Sequence, residues 1–137
     1  MNRARSQLAL LLLLIAALAC ASPVAPRTRV YAPLDTGLAR NLYVTTNTQR
    51  EAVLAELKLA GFASTRDTSV TPLVLVVRLG RVRRASSCGA VRNVSYELRQ
   101  SGVVVAVIKG RGWIGSCDPN VLREMNADLA HFFDSRM

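Results

Sequence analysis

The sequence predicts an α+β fold: a two-layer sandwich in which an antiparallel four-stranded sheet carries two helices on one face, in the order β-α-β-β-β-α. Three observations predict it. Two segments, 48–60 and 118–133, carry apolar residues at helical spacing. Three consecutive β-prone runs lie between them, which suggests a meander. Between the last two runs, Ser101-Gly102 is a two-residue turn signal.

The elements follow in order. Arg40 to Thr46 is a short strand with Leu42 and Val44 on one face. Thr48-Gln49-Arg50-Glu51 has capping-box spacing, in which the Thr48 side chain accepts from the Glu51 amide and Glu51 reaches back. The helix runs to about Ala60, with Val53, Leu57 and Ala60 in one stripe and Leu54 beside it. Gly61 ends it, where a left-handed backbone is cheap for glycine, and Phe62 follows as a core contact. Pro72 precedes Leu73 to Val77, an unbroken apolar run that suits a strand at the sheet centre. That run continues through Leu79 and Val82, with Arg78, Arg81 and Arg83 interleaved. From Val91 to Gln100, Val94, Tyr96 and Leu98 alternate with Asn93, Ser95, Glu97 and Arg99. Val103 to Ile108 is strongly β-prone. Asp118 then caps the last helix, with Pro119 at its first position and Leu122, Met125, Leu129 and Phe132 on its stripe.

A two-residue loop at Ser101-Gly102 sets a register. Leu98 faces Val105, Tyr96 faces Val107, Arg92 faces Arg111, and Cys88 faces Gly115, with Cys117 two residues further along. One irregularity near Gly110, Gly112 or Gly115 brings the cysteines into disulfide range, since glycine tolerates bulges. Cys88–Cys117 is therefore expected to clamp the open end of this hairpin.

The N-terminus has the parts of an export signal. Arg3 and Arg5 precede an uninterrupted apolar run from Leu8 to Leu18, which closes with Leu18-Ala19-Cys20. The run has eleven residues, whereas a membrane-spanning helix needs about twenty. Residues 1–19 are expected to be a signal peptide and 20–39 a flexible tether, with Pro23, Pro26 and Pro33 and no sustained periodicity. Residues 40–137 form a single domain. Ala16-Ala17-Leu18-Ala19-Cys20 resembles the bacterial lipobox. The resemblance implies that Cys20 is acylated, palmitate among its chains, and becomes the mature N-terminus. Ala21, where a retained lipoprotein of that kind has Asp, implies the outer membrane. The alternatives are plain secretion, soluble in the periplasm or beyond, with cleavage near Ala19 or Ala21, and a retained N-terminal anchor helix.

The chain carries 18 basic and 9 acidic residues, a net charge of +9, or +7 once Arg3 and Arg5 are removed. A basic domain beside a membrane attracts anionic head groups or polyanions. Arg78, Arg81, Arg83, Arg84, Arg92 and Arg111 are the candidate anion-binding residues, with Arg99 in the same region. An Arg92–Arg111 pair across two strands is costly unless solvated or bound to an anion. An anionic glycolipid, an anionic glycan or an acidic envelope protein suits the cluster; a solvated surface is the alternative. Nucleic acid is not an expected partner, because no exposed aromatics interleave with the cations.

No catalytic residue, metal site or cofactor is expected. Gly110-Arg111-Gly112-Trp113-Ile114-Gly115 matches a dinucleotide fingerprint in spacing, yet lacks the following strand and acidic residue that such a site needs. Glycines that permit strand irregularity explain the same pattern, and Trp113 is expected to cap the core. His131 is the single histidine and has no legible Ser/His/Asp partners. Two cysteines alone do not fill zinc's tetrahedral shell.

Asn41-Leu42-Tyr43-Val44, Leu54 to Phe62, Leu73 to Leu79, and Tyr96 to Lys109 around Ser101-Gly102 are similar to the strand, helix, strand and hairpin of a group of small bacterial envelope lipoproteins. The lipopolysaccharide-assembly lipoprotein belongs to that group. The resemblance implies a tethered domain in an envelope protein complex. The expected function is a non-enzymatic, periplasm-facing outer-membrane lipoprotein acting as accessory or binding module. An exported small enzyme or inhibitor is the alternative.

Overall fold

The computed structural model describes residues 2–20, 22–35 and 37–135. In chain order the elements are α1 (Asn2–Cys20), β1 (Val24–Val30), β2 (Asn41–Thr46), α2 (Arg50–Leu59), β3 (Ala63–Thr65), β4 (Leu73–Leu79), β5 (Arg84–Ser86), β6 (Gly89–Gln100), β7 (Val103–Gly115) and α3 (Val121–Asp134). Among the described residues there are three helices and one mixed seven-stranded sheet, ordered β1-β7-β6-β4-β2-β3 with β5 beside β6. This corrects the expected antiparallel four-stranded sheet with two helices.

Three physical reasons account for the difference. A strand–helix–strand crossover returns the chain in its original direction, so β4 pairs parallel to β2, as β3 does. Val24–Val30, expected to be tether, is an edge strand antiparallel to β7. An edge strand can seat Pro26, whose missing amide costs nothing there, and the register shifts around it between Val24 and Arg27. Finally, β3 and β5 have three residues each, too few to show a period.

The β6–β7 hairpin keeps the expected register only at its turn, where Gln100 faces Val103 and Arg99 faces Val104. It then slips, so that Leu98 faces Ala106, Tyr96 faces Ile108 and Arg92 faces Gly112. The slip is a bulge that turns two successive residues, Val105 and Ala106, into the core. It lies beside the turn, not at the glycines. Its effect is felt at the far end, where Cys88 and Cys117 approach to a Cα separation of 5.0 Å and form the expected disulfide. The Ser116 and Cys117 amides both donate to the Cys88 carbonyl, at 2.7 and 3.1 Å. Closing a loop of this length is worth about 3 to 4 kcal/mol by chain entropy.

β7 continues through its glycines because α3 lies on them. A Cβ on Gly112 would meet Val121 Cβ at 2.9 Å, and one on Gly110 would meet the Met125 sulfur at 3.2 Å. Glycine thus sets how closely helix and sheet approach.

Both helix starts differ from expectation. α2 begins at Arg50 behind Gln49, a left-handed residue with no side-chain cap, so Thr48 does not form the capping box. The Arg50 guanidinium donates instead to the Val44 carbonyl at 3.0 Å. α3 is capped by Asn120, not Asp118; its Oδ1 accepts from the Leu122 and Arg123 amides at 2.9 and 3.3 Å. The stop of α2 is as expected: Gly61 is left-handed and the Phe62 amide closes on the Leu57 carbonyl at 3.0 Å.

The core lies between one sheet face and α2 with α3. Leu75, Val77, Tyr96, Leu98 and Ile108 meet Val53, Leu57, Leu122, Met125 and Leu129 there. The fully buried Tyr96 hydroxyl donates to Asn126 Oδ1 at 2.7 Å. Burial pushes its ionisation well above the ordinary phenol range, and the negative charge of Glu56 adds to this. Arg40 ties the end of α3 down by pairing with Asp134 and lying over the Phe62 and Phe133 rings. The described side chains of α1, Arg3 to Leu14, are exposed and none belongs to the core. Among the described residues no helix is long and apolar enough to cross a membrane.

Candidate anion-binding face

Strand alternation sends every second side chain away from the helices. On that open face one row crosses four strands: Arg27 on β1 faces Lys109 on β7, Lys109 faces Ser95 on β6, and Ser95 faces Arg78 on β4. Neighbouring rows place Val24, Arg111 and Asn93 on one side, and Arg29, Val107 and Glu97 on the other. These residues, Glu97 excepted, line a shallow groove of about 1000 Å³.

The groove is cationic without compensation. Its lining includes Arg27, Arg29, Arg78, Lys109 and Arg111, and no carboxylate. The ion pairs among the described residues use Arg40, Arg99 and Arg123, none of these five cations. Glu97, on the adjoining row, is held by Arg99 at 2.8 Å. Arg27 and Lys109 stand directly opposite one another, a like-charge cross-strand pair that is destabilising unless an anion lies between. The Arg29 guanidinium lies 5.4 Å from the centre of the Tyr31 ring. Arg111 Nε donates to the Ser22 carbonyl at 2.8 Å.

Of the six arginines singled out from the sequence, Arg78 and Arg111 line the groove. Arg84 lies further along the same face, where it faces Val91 and Val91 faces Trp113. Its guanidinium lies 5.5 Å from the centre of the half-buried Trp113 ring, so Trp113 stacks under an arginine on the open face instead of capping the core. Arg81 and Arg83 are exposed on the connection between β4 and β5. Arg92 occupies the helix-side face, and its guanidinium donates to the Gly80 carbonyl at 3.1 Å. Sequence reasoning missed Arg27, Arg29 and Lys109. The available signal was the alternation Arg27-Thr28-Arg29, obscured by the prolines around it.

The remaining candidates are quickly placed. The backbone of Cys20 ends α1, and its side chain lies outside the described residues. His131 is exposed on α3. The glycine-rich stretch 110–115 is strand throughout, not a phosphate-cradling loop. Among the described residues no three His, Cys, Asp or Glu side chains are grouped to hold a metal ion.

No family model matches the chain, and no curated protein sequence matches it. Solved structures do. A single-substitution variant of the PelC dodecamer from Paraburkholderia phytofirmans matches with a TM-score of 0.51 at 16% identity, covering 80% of this chain and 97% of that one. The PelC dodecamer from the same organism in another crystal form gives a TM-score of 0.44 at 18% identity, covering 82% and 97%. A minor lipoprotein from Acinetobacter baumannii gives 0.34 at 8% identity, covering 70% and 93%. The first of these shows that the chain shares the fold of the PelC subunit; at such identity the likeness is one of fold alone.

Proposed function

We propose that this chain is a non-enzymatic outer-membrane lipoprotein, anchored through Cys20 and facing the periplasm, whose open sheet face binds an anionic ligand as an accessory module of an envelope system. The observation that carries the reading is the groove: five cations on β1, β7 and β4 with no carboxylate in its lining. The charged, apolar and small-residue sections of the leader support the anchor. A disulfide suits an oxidising compartment outside the cytoplasm.

Two measurements test it. Cys20→Ser abolishes acyl labelling and releases the protein from membranes; continued labelling refutes the lipid site. For the groove, calorimetry with soluble polyphosphate reports a loss of about tenfold or more in affinity for the combined variant Arg27→Gln, Arg78→Gln, Lys109→Gln. Unchanged affinity in that variant overturns the anion site.

A further inference from the structure

Almost no chain separates the basic groove from the proposed lipid anchor. β1 begins at Val24, four positions after Cys20, and Val24 itself lines the groove. Extended chain covers at most about 3.6 Å per residue, so Val24 stands within about 14 Å of Cys20 and Ser22 within about 7 Å. The Ser22 carbonyl is tied to Arg111 on the groove wall at 2.8 Å. A tether through residue 39 would have let the domain swing clear of the bilayer; the β1–β7 pairing removes that freedom. With Cys20 at the head-group level, the near edge of the groove is held within about 14 Å of the head groups, under two screening lengths of about 8 Å at physiological salt.

We infer that the groove is a second membrane contact, taking the phosphate groups of anionic lipids in the leaflet that holds Cys20. This rests on the proposed anchor and anion site, and names the source of the anion. The chemistry fits. Guanidinium forks match phosphate oxygens in pairs, while Lys109 supplies a compact charge. Neighbouring strands lie about 4.8 Å apart, so Arg27 and Lys109 flank one phosphate and relieve their mutual repulsion through it. Arg78, two strands beyond Lys109, reaches a second head group. The open face then lies on the bilayer, and α2 and α3 face away from it.

The test uses the chain from residue 21 onward, which keeps the core formed by the described residues, none of which lies in α1. Sedimentation is measured with phosphatidylethanolamine vesicles, with and without phosphatidylglycerol. The expected result is binding to the anionic vesicles alone, falling as salt rises. Arg27→Gln, Arg78→Gln, Lys109→Gln weakens it by about tenfold or more. A control that removes equal charge elsewhere, Arg66→Gln, Arg81→Gln, Arg83→Gln, weakens it by less than about twofold. Trp113, the only tryptophan and on the same face, reports the contact by an emission shift. Equal losses in the two variants make the effect one of net charge and overturn the groove as the contact. Binding of polyphosphate or inorganic phosphate without vesicle binding overturns the lipid source and leaves the anion site standing. Failure to bind either one ends both.

Discussion

On β6, Val94, Tyr96 and Leu98 lie against the helices, while Asn93, Ser95 and Glu97 look the other way. On β4, Val77 and Leu79 flank Arg78; on β7, Ile108 precedes Lys109. One face of the sheet is apolar and closed, the other cationic and open. Because successive side chains on a strand point to opposite sides, the two faces can change independently. The closed face sets whether the chain folds. The open face sets what it meets.

The comparison is sharpest where a change on one face is large and on the other small. Leu98→Ala opens a hole in the closed face, where Leu98 is 1% exposed, and is expected to cost about 2–5 kcal/mol in a denaturant melt. Groove affinity in the folded fraction stays unchanged; a loss there would join the two faces. Tyr96→Phe comes next, at about 1–3 kcal/mol, since it strips Asn126 Oδ1 of its donor in a site where Nδ2 already lacks a partner. It also changes the pH profile. Folded Tyr96 holds its proton to higher pH than the unfolded chain does, so stability is full below about pH 10 and falls above it. Urea titrations across that range should show the alkaline loss in the parent and a flatter limb in Tyr96→Phe. The smallest effect on stability belongs to Arg27→Gln, within about 0.5 kcal/mol and toward greater stability, because it removes a like-charge pair. The same substitution weakens anion binding. A marked destabilisation would show that the open face also carries the fold.

The closed face was largely legible in the sequence. Its strands and helices announce themselves by apolar periods: Leu73 to Leu79, Val94 to Leu98, and the stripe from Leu122 to Phe132. The direction of β4 was legible in principle, because strand, helix and strand in succession imply a parallel pair. The hairpin slip was not. Nothing in Val103-Val104-Val105-Ala106 tells which two neighbours both turn inward, since all four are apolar. The disulfide was predictable because it needed an irregularity somewhere, without requiring its place. The open face was the harder half. Arg78 and Arg111 belong to recognisable strands, but Arg27 and Arg29 gain their neighbours only by long-range pairing with β7. Pro23 and Pro26 hide that strand, because a proline argues against a central strand and is silent about an edge.

The pairing of β1 with β7 also orders events in time. The first strand to be synthesised takes its place only when nearly the whole polypeptide has followed, since its partner lies close to the other end. Until then Val24–Val30 has no strand to pair with. The sheet is thus completed last at its β1 edge, the edge beside the proposed anchor.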